Sequence, residues 1–403
     1  MKIQIIGGGI VGLSIARSLL LKGYKKIQVL EKENEIAKHQ SSRNSGVMHA
    51  GLYYDPKSLK ANLSRKGIVM MKDFCNENSI SWEECGKVVV ATEENEIERL
   101  DKLYKRGTSN GLRGIKKINS KEVNLIEPYV NAKAAILVPE ESIVNYKKVA
   151  SKYEEEIVSL GGEIQCSSKV IGIRHLTDSE ELLLENGEII SGEVIISTAG
   201  LYSDKIAKML RFDIDKKQTL PFRGEYYLLR PEYEYLVKGL IYPVPNPTLP
   251  FLGVHFTPSA DTEPVINVGP TATPALGREN YYDFQNIEPL SAASNLFCLL
   301  NQYVKNEGGF RKYVHQQSLL FLKPLMLREA RKLIPSIQSS DLKFSKKVGI
   351  RPQLFNQINK RLENDFMSLR GKNSTHIMNA ISPAFTASFS LADYIIQENQ
   401  DHF

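Results

Sequence analysis

The chain has 403 residues, with 52 Lys and Arg against 46 Asp and Glu for a net charge of +6, and it is 42 % apolar, 8 % aromatic and 24 % charged. These proportions exclude disordered, fibrous and collagen-like classes, and the length favours two domains over one. The positive excess is spread along the chain, which argues against nucleic acid and suits an anionic small substrate or contact with an anionic membrane surface.

Lys2–Ile6 is a β-branched run, residues 10–22 have helical character and 26–31 read as a second strand, so the chain opens strand, turn, helix, strand. A strand beginning at Lys2 leaves no room for a cleavable leader. No apolar run approaches the roughly 20 residues of a spanning helix, so any membrane contact is expected to be peripheral. Further helices are expected over 58–77, 94–110 and 146–160, and strands over 87–91, 193–198 and 251–257. The stretch 220–268 is rich in Tyr, Phe, Val and Pro and reads as antiparallel β. Residues 375–379 read as a strand and 383–399 as a helix, with Ser382 as N-cap and Pro383 at the first helical position.

This alternation implies an α/β fold whose Rossmann-like nucleotide-binding domain is assembled from 1–78, 140–215 and 340–403. A mixed or antiparallel β-sheet substrate domain with helices would occupy 79–139 and 216–339. Cys75, Cys85, Cys166 and Cys298 are far apart, with no C-x-x-C and no histidine spacing suited to zinc, so they read as reduced thiols of a cytosolic protein without a metal centre.

The turn "IIGGGIVGLSIA" carries G-x-G-x-x-G as Gly7, Gly9 and Gly12 between strand and helix. Gly7 allows the tight turn, Gly9 lets the backbone approach a pyrophosphate, and Gly12 lets helix and strand pack closely. Unsatisfied N–H groups at the helix start favour the anion. Glu31, ending the second strand, suits ribose hydroxyls and disfavours a 2′-phosphate, which argues against NADP and leaves NAD and FAD open. Next comes "RNSGVMHAGLYYD" (43–55), dense in small and polar residues, which is either a solvated connector or the wall of a ligand site.

The segments "HQSSRNSGVMHAGLYYDPKSLKA" (39–61), "PFRGEYYLL" (221–229), "YPVPNPTLPFLGVHFT" (242–257), "VGPTA" (268–272), "GIRPQ" (349–353) and "NAISPAFTAS" (379–388) resemble L-2-hydroxyglutarate oxidases and dehydrogenases of the D-amino-acid-oxidase superfamily. The resemblance runs from the first strand to the last helix. It implies FAD as cofactor, oxidation of a 2-hydroxy acid to a 2-oxo acid with hydride passing to flavin N5, and electrons delivered to quinone or oxygen. It also implies that Arg43, Asn44, Ser45, Gly46 and His49 line the flavin, and that Lys32, Val170, Gly200, Ser382 and Ala384 contact the cofactor. The helix from Pro383 would aim its N-terminus at flavin N1 and the C2 carbonyl. Thr271, Pro352 and Ser142 depart from the family pattern and bear on the substrate.

Such a reaction needs a base for the hydroxyl proton and cations for carboxylates. Of seven histidines, His49 and His255 fall inside the family-like segments and His39 opens one of them; the first two are the candidates. His255, alternating with Phe251 and Gly253, is expected to take the proton or else to be a structural histidine bonded to a carbonyl, while His49 is expected at the flavin. Arg223 and Arg351 are expected to grip the two carboxylates of a five-carbon dicarboxylate, or to form salt bridges between domains. Tyr226, Tyr242 and Thr271 would add substrate contacts. Residues 318–334 read as a membrane-surface helix or as a core-facing helix broken near Pro324.

The function expected is FAD-dependent oxidation of L-2-hydroxyglutarate, in the cytoplasm or on the inner face of the membrane. A relative acting on another 2-hydroxy acid, a glycerol phosphate or an amino acid is the alternative enzyme, and a flavin-binding module without turnover is the alternative outside catalysis.

Overall fold

The computed structural model describes residues 1–214, 216–246, 252–260, 265–282, 285–306, 311, 314–315 and 320–402. Phe251, at the start of one expected strand, and Ser318, at the start of the 318–334 stretch, lie outside the described residues. No helix of the described residues is long and apolar enough to cross a membrane.

Lys2–Ile6 forms the centre of a sheet because its Ile3, Ile5 and Ile6 are buried. It pairs in parallel with Lys26–Leu30 on one side and Val194–Ser197 on the other, and the sheet continues to Glu163–Gln165 and Ser374–Ile377. The antiparallel strand Ser368–Arg370 closes one edge. Strands from three distant parts of the sequence thus share one parallel sheet, whose strand tops open toward a ligand in α/β folds of this kind. The helix Ile10–Leu21 packs against Tyr146–Ser159 and Ser388–Glu398. Phe74, Tyr153 and Phe389 meet there with ring centroids 5.0 to 5.1 Å apart, and Arg17 lies over Phe74 and Phe389.

The expected antiparallel region is a second, larger sheet. Its longest ladder joins Lys217–Leu229 to Leu342–Asn356, and Ile266–Gly269, His255–Pro258 and Leu240–Pro243 follow in order. Leu240–Pro243 then pairs in parallel with Lys87–Ala91, a strand buried at every position. One apolar core runs from Ile3 and Ile5 of the first sheet to Val89 and Tyr242 of the second, so the two sheets are packed against each other.

Three expectations are corrected. The last helix spans Ser388–Glu398, not 383–399, and residues 382–387 form turns, so Ser382 is not its N-cap and its N-terminus does not begin at Pro383. Tertiary contact overrides local helix signals: Thr386 Oγ1 accepts the His49 N–H at 3.0 Å and donates to the Val47 carbonyl, while Gly67 presses on the Thr386 and Ala387 backbone. The 94–110 helix starts with a 3₁₀ turn, Glu94–Glu96, before Ile97–Ser109. The third concerns 318–334, where the helix Lys323–Leu333 has Pro324 in its first turn rather than a mid-helix break, and it buries Met326, Leu327, Ala330 and Leu333 in the core.

Candidate functional site

A cavity of about 810 Å³ lies between the two sheets. Every residue expected to contact cofactor or substrate lines it except Gly46, which the loop turns away, and Gly12, which sits behind the wall. A Cβ on Gly12 would stand 2.1 Å from the Gly7 carbonyl oxygen, which is the close packing its place in the fingerprint requires.

At one end, Gly7 (φ +110°) turns the chain so that the start of the Ile10–Leu21 helix opens on the cavity. A side chain at Gly9 would meet only Ser41 Oγ within 4 Å, leaving open space toward the cavity. Ser41 Oγ accepts the Ile10 N–H at 2.9 Å. Glu31 is buried, with one carboxylate oxygen accepting the Gly8 N–H at 2.7 Å and the other the Glu33 N–H at 2.9 Å, and both retain lone pairs for ribose hydroxyls. Val170 and Gly200 complete this end. Gly200 has φ +52°, and a Cβ there would stand 2.9 Å from Gln40 Nε2. Exposed helix amides, side-chain-free glycines and a buried carboxylate at this spacing fit the diphosphate and ribose of a dinucleotide.

Lys32 reaches the rim, where it ion-pairs with Glu33 and lies 2.5 Å from Glu279. Glu33, His39 and Glu279 are close enough to share a metal ion, but the Lys32 ammonium already supplies the positive charge among them.

The first half of the 43–55 loop, Arg43, Asn44, Ser45, Val47 and His49, is wall of the cavity rather than solvated connector. Its polar residues are held mostly by backbone outside the loop: Arg43 donates to the Lys38 and Val348 carbonyls and stacks on Tyr281 at 4.1 Å. Asn44 donates to the Gln40 and Ser41 carbonyls and accepts the Gly46 N–H. Both side chains therefore shape the loop, while Ser45 and His49 also line the cavity.

At the other end, Tyr242 and His255 stack with centroids 3.9 Å apart. His255 Nδ1 is 2.7 Å from the Gly253 carbonyl, which fixes the proton on Nδ1 and leaves Nε2 as the acceptor. Burial pushes His255 down to about 3, outweighing that carbonyl, and the Lys87 charge adds to the shift. Burial likewise raises the Tyr226 hydroxyl to about 12, so it stays a neutral donor. Thr271 Oγ1 accepts the Glu225 N–H at 3.0 Å, a bond that pins the wall.

Arg351 and Arg223 come from adjacent antiparallel strands one residue out of phase, since Arg351 is paired with Phe222 and Arg223 with Ile350. Consecutive strand residues face opposite ways, so the two guanidinium groups leave different faces of the ladder although both line the cavity. Arg223 Nη2 lies 2.8 Å from Glu225 Oε1. Arg351 is near enough to His49 and Lys60 to disfavour a proton on either, burial being the larger cause in both, and Lys60 comes down to about 7.

Sequence reasoning missed Lys87, Glu141, Tyr53 and Lys60. Lys87 and Glu141 form an ion pair at 2.9 Å whose side chains are 0 % and 1 % exposed. Lys87 Nζ also lies over the rings of Tyr242 (4.5 Å) and Tyr53 (5.3 Å). The available signal was a lysine heading the otherwise apolar strand "KVVVA".

The model of FAD dependent oxidoreductases matches residues 2–398. An L-2-hydroxyglutarate dehydrogenase of Indibacter alkaliphilus is 39 % identical over 98 % of each chain, and the mitochondrial L-2-hydroxyglutarate dehydrogenase of Homo sapiens is 37 % identical over 100 % of this chain and 89 % of its own. Among solved structures, the FAD-bound L-α-glycerophosphate oxidase of Mycoplasma pneumoniae has a TM-score of 0.77 at 20 % identity, covering 98 % of this chain and 94 % of that one. Glycine oxidase of Bacillus cereus has a TM-score of 0.70 at 18 % identity, covering 100 % and 96 %. The solved structures share the fold, and the full-length sequence matches go further: the chain belongs to the FAD-dependent oxidoreductase family, with FAD as its cofactor, and groups there with the L-2-hydroxyglutarate dehydrogenases.

Proposed function

We propose that the protein oxidises L-2-hydroxyglutarate to 2-oxoglutarate. The observation that carries this reading is the far end of the cavity, where Arg351 and two imidazoles share a wall with Tyr226 and Tyr242. Bound FAD supplies the acceptor for two electrons and the C2 hydrogen. Arg351 offers a planar fork to one carboxylate, and Arg223, shared with Glu225, offers a second cation to the other. A dicarboxylate needs both, because a buried carboxylate without a partner costs several kcal/mol. The hydroxyl has two imidazoles within the cavity wall to receive its proton, His255 through Nε2 and His49. Tyr226 and Tyr242 exclude water and offer hydroxyl donors. The cofactor segments 1–78, 140–215 and 340–403 and the substrate segments 79–139 and 216–339 make the corresponding division of the chain.

Anaerobic mixing with L-2-hydroxyglutarate tests this: the yellow absorbance of the holoprotein should bleach. No bleaching with that acid, together with rapid bleaching by a monocarboxylate, glycerol phosphate or an amine, would overturn the substrate. No bleaching by any of them would favour a flavin-binding module.

We further propose a membrane quinone as electron acceptor. The helix Pro289–Lys305 is turned apolar side out, with Leu290 89 % and Phe297 73 % exposed beside Leu300 and Val304. Its buried side carries Asn295 and Gln302, bonded to Gln218 and the Lys360 carbonyl. Lys305 and Arg311 flank it, which suits an anionic lipid surface. Flotation with anionic vesicles and quinone reduction are expected; oxygen consumption at the same rate without lipid would favour oxygen.

A further inference from the structure

Behind the cavity wall stands a buried charge pair that the steps above do not use. Lys87 heads the all-buried strand Lys87–Ala91, and Glu141 lies just before the strand Ser142–Val144. Glu141 Oε1 accepts the Ala50 N–H at 3.2 Å, and Oε2 lies 2.9 Å from Lys87 Nζ and 3.5 Å from His49 Nδ1. A buried ion pair is commonly no more stabilising than apolar side chains of the same volume, so stability alone does not account for it.

Resting on the oxidation proposed above, we infer that Glu141, anchored by the Ala50 N–H and the Lys87 ammonium, is a positioning residue that keeps the His49 proton on Nδ1 and turns the Nε2 lone pair to the substrate hydroxyl. The O–H bond breaks, its proton joins Nε2, the C–O bond becomes double, and the C2 hydrogen leaves with its electron pair to the cofactor. The imidazolium that results faces a carboxylate.

His255 has no such support, since a neutral carbonyl stands behind its Nδ1. The charged and titratable groups around His49 are Glu141 and Lys87 behind it, Arg351 from the long ladder and His255 across the cavity. Burial, Lys87 and Arg351 lower its affinity for a proton, and Glu141 alone among these opposes them. A substrate carboxylate on Arg351 would remove part of the opposing charge at the moment the proton moves.

The test uses the holoprotein and the double variant Glu141→Gln/Lys87→Met, which leaves no buried ion unpaired. The amide oxygen replaces Oε1 toward the Ala50 N–H, so the amide NH₂ faces His49 and favours a proton on Nε2. Nitrogen NMR of histidine-labelled protein should find the His49 proton on Nδ1 in the parent and on Nε2 in the variant. The limiting rate of anaerobic flavin reduction should fall on the order of 10²-fold or more, with KM changed only a few-fold. Lys87→Met alone should move the acid limb of that rate to higher pH, because a charge opposing the imidazolium is gone. A parent His49 protonated on Nε2, or a double variant with parental tautomer and rate, overturns the inference. The tautomer readout needs no substrate, so failure of L-2-hydroxyglutarate to reduce the parent would sink the substrate while leaving Glu141 decided. Should the double variant not fold, the parent tautomer and the Lys87→Met profile still decide it.

Discussion

The His255 imidazole lies flat on the Tyr242 ring, 3.9 Å between centroids and 18° between planes, while Lys87 Nζ stands 4.5 Å from the centroid of the same ring. The tyrosine ring already attracts one cation. A proton on His255 would be a buried charge beside a second one, and burial first and the Lys87 ammonium after it hold the imidazole at a pKa of about 3. His255→Phe preserves the stacked ring and should slow flavin reduction less than 10-fold, whereas His49→Ala should slow it by on the order of 10²-fold. Stopped-flow absorbance on both variants checks this, and the opposite order would return the proton to His255.

Gly9→Val should yield a folded, colourless protein. Its Cβ meets only Ser41 Oγ, at 3.2 Å, so the added methyl groups fall where the diphosphate belongs. Gly12→Ala is expected to damage the fold as well, by about 1–3 kcal/mol or more, because its Cβ collides with backbone. Visible absorbance against thermal melting separates the two effects.

Arg351→Lys should raise KM tenfold or more, since an ammonium does not reproduce a two-point grip on carboxylate. Arg223→Lys should raise it as well, by severalfold, the Glu225 contact holding one nitrogen of that guanidinium in place. An unchanged KM for either variant in steady-state assays would remove that arginine from the substrate.

Burial by itself would raise the Glu141 carboxyl, but Lys87 and His49 outweigh it and bring it to about 2. An unfolded glutamate titrates near ~4.3. A depressed folded pKa means that this contribution to stability is complete above about 4.3 and is lost as pH falls toward about 2. Melting temperature over that window should therefore fall more steeply for the parent than for Glu141→Gln/Lys87→Met, and parallel curves would contradict it.

Gly67→Ala should loosen the 382–387 turn. The new Cβ would stand 2.4 Å from the Thr386 carbonyl oxygen and 2.7 Å from Ala387 Cα. A loss of about 1–3 kcal/mol is expected. Weaker FAD retention should accompany it, because Thr386 holds the His49 backbone and Ser382 and Ala384 line the cavity. Thermal melting and flavin release on dilution measure both.

The local rules of the chain were sufficient for the strand–turn–helix–strand unit that opens on the cavity. Gly7, Gly9, Gly12 and Glu31 act through backbone geometry and hydrogen bonds within a single strand–turn–helix–strand unit, so their spacing along the chain is their spacing in the molecule. The resemblance likewise identified the loop of 39–61 and the segments bearing Arg223, His255 and Arg351, and all three residues line the cavity. Local signals failed at residues 382–387, where Ser-Pro before an apolar run reads as a helix start but contacts with Val47, His49 and Gly67 hold turns instead. Which residues surround His49 was decided only by the tertiary structure. Lys87 and Glu141 meet because strand pairing brings Lys87–Ala91 against Ala134–Val138, whose following turn carries Glu141. A buried charge is legible as functional only once its partner is known, and a partner across a sheet leaves no period in the sequence.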